Sequence, residues 1–388
     1  MFTISAKINE ISEGLALLKH LGAGEKYADL QESLGKKYAL SSLESGQKFA
    51  LLERIEQNAE NVFREKMDEI RYYFAVVSSS RTDNAEIGCA GMLALLWETG
   101  MDLKIEDTAG LRSYLAGLSE EDYCRRFGEL LYNYTRLIQM QEDTPQNAFK
   151  EPFAIIQYLM QMDIDEEEKW KIQKIFCDKE THRQNVLALL EQAVAILHSF
   201  QEEIAELSGL FYQYWSETLK EHSLSELLSE NKMLKIPENS LGVHIRPSVI
   251  LPNVIALCMN TDVSGNSDRK PDYFKFGILF GEDFPLNTLY TPQSDTYETF
   301  VTQALKLLSD KSKFEILSYI RDKSAYGSEL ARHLNLTTAT VSHHMNALLS
   351  SGLVRLQCVG NRVYYISNKD ALEELLHYCE QVLVKRDD

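Results

Sequence analysis

Over most of the first 236 residues apolar positions recur every three or four residues, and that spacing predicts amphipathic helices packed on one another. It is clearest in "LESGQKFALLERIEQNAENVF", "GMLALLWETG" and "QNVLALLEQAVAILHSFQEEIAELSGLFYQYWSETL". At the start of the chain the period changes. In "FTISAKI", Phe2, Ile4, Ala6 and Ile8 alternate with Thr3, Ser5 and Lys7, the pattern of a strand. Further on, "LGVHIRPSVILPNVIALCMN" and "DYFKFGILFGEDF" read as strands of a small antiparallel sheet, joined by the turn-rich "TDVSGNSDRKP". Proline marks the same boundaries. Pro145 and Pro152 precede residue 237, six prolines lie from Pro237 to Pro292, and none follows. Because proline is excluded from helix interiors and central strands, the chain should run helical, then β and turn-rich, then helical again. The prediction is a mainly α protein with a small antiparallel β-sheet. It has a helical N-terminal domain over 1–235, a β-rich segment packed on it over 236–292, and a compact C-terminal domain over 296–384.

The C-terminal domain has the most regular pattern. A helix in "ETFVTQALKLL" presents Phe300, Ala304, Leu307 and Leu308, and Ser309 is placed to cap "KSKFEILSYIRD", which presents Phe314, Leu317 and Ile320. "GSELARHL" is a helix of about two turns, and "NLT" turns the chain into a longer helix that Gly352 stops with a left-handed cap. Two β-rich runs follow, "LVRLQCV" and "RVYYIS", joined by Gly360-Asn361, a two-residue hairpin signal. Short helix, tight turn, longer helix and β-hairpin together predict a winged helix-turn-helix.

The adjacent histidines of "TVSHHMNALL" are separated by helical phase. At 100° per residue, Val341, Met345, Leu348 and Leu349 fall within about 100° of one another and define a buried stripe. His344 lies on its edge, whereas His343 lies opposite, together with Ala339, Asn346 and Ser350 and flanked by Thr340 and Ser342. That outer face is small, polar and uncharged. It suits the major groove of duplex DNA, where Asn pairs bidentately with adenine and hydroxyls both donate and accept. Thr337 and Thr338 stand at the helix start, where free amides favour a phosphate. Arg362, first after the wing turn, is the natural phosphate or minor-groove contact. The candidate DNA-binding residues are therefore Thr337, Thr338, Thr340, Ser342, His343, Asn346 and Arg362, with His344 packing inside the domain. Lys311, Lys313 and Arg332 are weaker candidates.

A net charge of −18 ordinarily argues against a nucleic-acid partner, because phosphate binding is mostly electrostatic. The distribution reverses that reading. Residues 300–388 hold 11 Lys and Arg against 10 Asp and Glu, while residues 1–299 hold 29 against 48. From Leu330 to Lys369 there is no acidic residue, where the chain's own frequency predicts about six. An acid-free window of that kind marks a phosphate-facing surface.

Elsewhere the chain offers little chemistry. His182, His198 and His222 fall on separate helical stretches, and the six cysteines are scattered singly, as free and mostly buried thiols would be. Phe211, Tyr212, Tyr214 and Trp215 read as core aromatics. No phosphate loop, nucleophile with its base, or pair of metal ligands is present, so no catalytic, cofactor or metal residue is assigned. No apolar run approaches a membrane span and the first residues lack a basic-then-apolar leader, so a cytoplasmic protein is expected.

The segments "ALKLLSDKSKFEILSYI", "SELARHLNLTTATVSHHMNALLSSGLVR" and "GNRVYYIS" resemble the ArsR-type winged-helix regulators of bacteria over about 80 residues. The resemblance implies a homodimer on a double-stranded DNA operator, with the helix at 297–308 and the terminal helix at 370–384 at the interface. It also implies repression relieved by a signal. Leu372, Leu375, Leu376 and Val382 of the terminal helix are apolar positions for that packing. Metal-sensing members carry a cysteine pair where this chain has "SAYGSEL". Of their other metal site only His377 and Glu380 match, so metal sensing is not carried over. In order of segments, the "FTISAKINEISEGLALLKHL" start, the "RPSVILP" element and the winged helix last, the whole chain also resembles a subgroup with a long N-terminal domain of unknown function. The expectation is a sequence-specific regulator whose N-terminal domain senses a small-molecule or protein effector or mediates assembly. The competing expectation makes that domain an enzyme or a protein-interaction module, with the winged helix as a localising or contact domain.

Overall fold

The computed structural model describes residues 3–38, 43–75, 77–78, 86–97, 105–139, 149–162, 164–224, 227, 234–235, 244–258, 273–281, 301–302, 304–359 and 362–383. The chain forms two compact units. The first comprises residues 1–137, 144–221 and 240–285, and the second residues 138–143, 222–239 and 286–388.

In chain order the elements are β1 (Thr3–Ile4), α1 (Glu10–Ala23), α2 (Tyr27–Tyr38), α3 (Leu43–Val62), α4 (Met67–Phe74), β2 (Val77–Ser78) and β3 (Glu86–Gly88). Then come α5 (Ala90–Ala94), α6 (Thr108–Ala116), α7 (Glu120–Gln139), α8 (Pro152–Gln161), α9 (Glu166–Cys177), α10 (Lys179–His198) and α11 (Gln201–Glu221). After β4 (Leu234–Lys235), β5 (His244–Ser248), β6 (Ile255–Cys258) and β7 (Tyr273–Gly277), the remaining helices are α12 (Lys311–Tyr319), α13 (Gly327–Leu334), α14 (Thr338–Ser350) and α15 (Lys369–Leu383). Strands β8 (Val354–Val359) and β9 (Arg362–Ser367) lie between the last two. The protein is mainly α with small sheets, as the periodicity predicts.

In the first unit α1 packs against α4 and α10 through Ile11, Leu15 and Leu18. Asn9 caps its start by accepting from the Ser12 N–H, and Gly24, at φ 71°, ends it in the left-handed conformation. Gly14 lets α10 approach: a Cβ there would come within 2.7 Å of Leu190. Phe211 and Trp215 are buried among Phe274, Phe276 and Phe280, and the Trp215 indole donates to the Phe280 carbonyl at 3.2 Å. These two are core, as the pattern of aromatics suggested, whereas Tyr214 is half-buried and Tyr212, on the outer side of α11, is 43% exposed.

The sheet of this unit has the order β1-β5-β7-β6. β6 and β7 pair antiparallel as expected, but β5 lies parallel to β7 and β1 parallel to β5. The first run already reverses within itself, between β5 and β6, and the chain reverses again before β7, so β7 lies between them running the way of β5. Pro247 fits this layout. The Ile245 carbonyl accepts from Ser5 N–H on the β1 side at 2.8 Å, so alternation points residue 247 to the same outer side, beyond the end of the two-residue β1.

In the second unit Val301, Ala304, Ile316, Leu317, Ile320, Leu330, Val341, Met345, Leu348, Leu353, Tyr365 and Leu375 form one core. Two details depart from the sequence reading. Asp310, not Ser309, caps α12, its carboxylate accepting from the Lys313 N–H at 3.0 Å. With the helix started there, Ile316, Leu317 and Ile320 face inward and Phe314 stands 57% exposed. β4 adds a strand to the hairpin by pairing parallel with β8, giving the order β4-β8-β9.

Candidate nucleic-acid interface

The short α13 opens with the Glu329 carboxylate accepting from the Tyr326 N–H at 3.2 Å, which holds its first turn. It closes at Asn335, in the left-handed conformation at φ 53°. Two residues later Thr337 caps α14: its hydroxyl accepts from the Thr340 N–H at 3.1 Å and meets the Thr340 hydroxyl at 2.8 Å. At the far end Gly352 takes φ 72°, its N–H reaching the Leu349 carbonyl while the Leu353 N–H reaches that of Leu348. This is the glycine stop the sequence predicts.

Val341, Met345 and Leu348 are fully buried. Helical spacing therefore puts positions 339, 343, 346 and 350 on the opposite side of α14. The side chains of Thr338, Ser342, His343, Asn346 and Arg362 lie outside the described ones, so for these residues only the backbone is placed. The first four lie on α14, and Arg362 opens β9 opposite Val359; the turn expected at Gly360-Asn361 lies outside the described residues. Thr337 and Thr340 are described in full, and their hydroxyls serve the cap.

His344 is half-buried, at the edge of the buried stripe. The Asp310 carboxyl is held below its usual range first by the Lys313 N–H, then by the Lys313 ammonium, with His344 adding to the same effect. His344 thus belongs to the inner side of α14.

The basic residues separate into two groups. Arg332 is exposed on α13, but Arg355 binds Asn368 and, at 2.7 Å, Asp370, while Lys369 reaches Asp322 at 3.4 Å. Lys313 is paired with Asp310, and Lys311 lies 3.8 Å from Glu315. Arg355 is therefore an internal tie. The buried Asn368, which sequence reading missed, completes it by donating to the Gly352 carbonyl at 2.6 Å and joining the end of α14 to the start of α15. An Asn just before a helical run was the available signal.

On α15, Leu375 belongs to the core and Leu372 packs against it, whereas Leu376 and Val382 are exposed, as is Leu305 of the helical stretch 304–308. His377 meets Gln381 at 3.0 Å. Among the described residues no group of three or more His, Cys, Asp or Glu is arranged to hold a metal, and no helix is long and apolar enough to cross a membrane.

The family model for bacterial regulatory proteins of the arsR family matches residues 310–355. The chain is 33% identical over 72 residues to the arsenical resistance operon repressor of Staphylococcus aureus, covering 19% of this chain and 69% of that protein. It is 31% identical over 90 residues to the HTH-type transcriptional regulator CmtR of Mycobacterium tuberculosis, covering 23% and 76%. To the transcriptional repressor SdpR of Bacillus subtilis it is 23% identical over 88 residues, covering 23% and 98%. No solved structure matches the chain.

Proposed function

Because this chain belongs to the arsR family of bacterial regulatory proteins, we propose that it is a cytoplasmic, dimeric, sequence-specific DNA-binding regulator that represses its promoter. The observation that carries this reading is the complete burial of Val341, Met345 and Leu348, which turns the opposite side of α14 outward within an acid-free segment. In this proposal His343 and Asn346 read base edges in the major groove, Thr340 and Ser342 flank them, and Thr337 and Thr338 meet a phosphate. Arg362 contacts the backbone beside the wing. Leu305, Leu376 and Val382 supply exposed apolar surface for a homodimer that places two α14 helices about one helical turn of DNA apart. The helical N-terminal domain, with the β-rich segment packed on it, senses an effector or mediates assembly.

The test is fluorescence anisotropy of the full chain on a duplex from its own upstream region and on a random duplex, across a salt series. The expected result is tighter binding to the first, falling steeply with salt as counterions are released. Replacing Arg362→Ala should weaken both and lower the salt slope by about 1. Equal affinity for the two duplexes at moderate salt would overturn the proposal.

A further inference from the structure

We propose that a cleft in the first unit binds a small organic anion, a carboxylate or phosphate carried on an apolar body. The proposal rests on reading this unit as the sensor. The cleft, of about 410 Å³, lies between α6, the start of α7 and the first two turns of α10. That volume is within the range of small-molecule sites, roughly 300–1,000 Å³. Leu115, Leu118 and Leu187 give it apolar walls, and Arg112, Lys179 and Arg183 bring three cations to it.

The cations are held in different ways. The Tyr123 ring is stacked on Phe176 at 5.5 Å, and Lys179 Nζ lies 4.4 Å and Arg183 Cζ 5.7 Å from its centre. The buried ring thus fixes both side chains by cation–π contact. Arg183 is itself buried, and its Nε has no hydrogen-bond partner, although the guanidinium donates from Nη1 to Glu180 at 2.9 Å. A buried guanidinium with an unmet donor carries a desolvation cost that a second acceptor would relieve through a small rotation of its planar fork.

The acids that now pair with these cations are open to replacement. Arg112 pairs with Glu191, Lys179 with Glu120 and Arg183 with Glu180, and the three glutamates have side-chain exposures of 42%, 66% and 63%. The glutamate ends of these pairs already face water, so an incoming anion can take their place on the cations while the carboxylates stay solvated. Lys179 and Glu180 also form the first turn of α10, where helix amides favour negative charge. Apolar walls, cations fixed on a ring and releasable acids together describe a seat for an anionic head with its body against the leucines.

The experiment is isothermal titration of the full chain, without DNA, using benzoate, phenyl phosphate, inorganic phosphate and neutral benzyl alcohol. We expect saturable binding of one aromatic anion, weaker binding of inorganic phosphate and none of benzyl alcohol. A preference for benzoate assigns a carboxylate and a preference for phenyl phosphate assigns a phosphoryl group. K179Q and R183Q should each weaken binding about tenfold, while E180Q, which removes the competing acid, should tighten it by a factor of roughly 2–5. The Lys179 and Glu180 variants alter a half-buried and an exposed group, neither in the core, and keep the test valid if R183Q fails to fold. No saturable heat with any anion up to about 10 mM, or binding that K179Q and E180Q leave unchanged, would overturn the site. Saturable binding that leaves the affinity for the chain's own upstream duplex unchanged would support the site and remove the sensor reading.

Discussion

The two units place acidic groups in opposite ways. In the first, two carboxylates are taken inside and surrounded by donors. Glu13, 1% exposed, accepts from the Ser248 hydroxyl and the Val249 and Ile250 amides, each at 2.8 Å, and from Lys275 at 2.9 Å. Glu56 accepts from Lys26, the Tyr27 N–H and His20. Burial pushes the Glu56 carboxyl up, and these three bonds outweigh it, leaving its pKa below the usual range. In the second unit three acids stand at helix starts, Asp310 on α12, Glu329 on α13 and Asp370 on α15, and none occurs from Leu330 to Lys369. A buried acid with a full set of donors can clamp a helix to a sheet. An acid beside the DNA-facing surface proposed above would repel phosphate, so there it is expected only at the rim.

The strongest way to break this contrast is at the Glu13 clamp. Lys275→Met leaves a buried carboxylate without its cation, and losses of about 3–5 kcal/mol are expected when one partner of a buried pair is removed. The double variant Glu13→Gln with Lys275→Met should recover much of that loss, because no charge is left uncompensated. All three tryptophans, Trp97, Trp170 and Trp215, lie in the first unit, so urea unfolding followed by their fluorescence reports this unit selectively. A wild-type midpoint for Lys275→Met would show that the clamp contributes nothing.

The contrast also explains what could be read in advance. The winged helix was legible because its signals are local: the buried stripe of α14, the stop at Gly352 and the antiparallel pairing of β8 with β9 each lie within a short stretch of chain. The outer face of α14 follows from helical phase alone. The Glu13 clamp was not legible, since its partners lie more than 230 residues away and "NEISEG" reads as an ordinary helix start. The parallel pairing of β5 with β7 and of β4 with β8 is long-range in the same sense. Charge counting also has a limit. Arg355 and Lys369 lie inside the acid-free window, yet they are engaged by Asp370 and Asp322 just outside it. A window in sequence is therefore not a patch of free cations, and Arg332 and Arg362 remain the ones to test.

The second unit is sharpened by separating readout from attraction. Replacing His343→Ala and Asn346→Ala on the outer face of α14 removes base-edge donors but no Lys or Arg. A bidentate base contact is worth about 1–3 kcal/mol of discrimination, so preference for the correct duplex should fall at least tenfold while affinity for random DNA stays within about twofold. Anisotropy titrations with both duplexes measure this. If the two affinities fell together, the outer face would be serving as a general contact surface, and the proposed division of roles between α14 and Arg362 would fail.

The smallest effect concerns an acid at the rim. Asp310 caps α12 through the Lys313 N–H, and an N-cap replaced by alanine costs about 1 kcal/mol. Asp310→Ala should therefore speed hydrogen exchange of residues 311–319 at neutral pH by roughly fivefold where local opening governs exchange, whereas Asp310→Asn, which can still cap, should change it less. The charge contributes separately. Its folded pKa is depressed, so the stabilisation is fully present above the unfolded value near 3.9 and is lost as pH falls through the folded value. The melting difference between wild type and Asp310→Asn should accordingly be constant from pH 5 to 7 and shrink as pH falls below the unfolded value near 3.9. A difference that persisted unchanged into strong acid would mean that shape, not charge, distinguishes the two residues at the rim, and the electrostatic contrast between the units would then rest on the buried carboxylates alone.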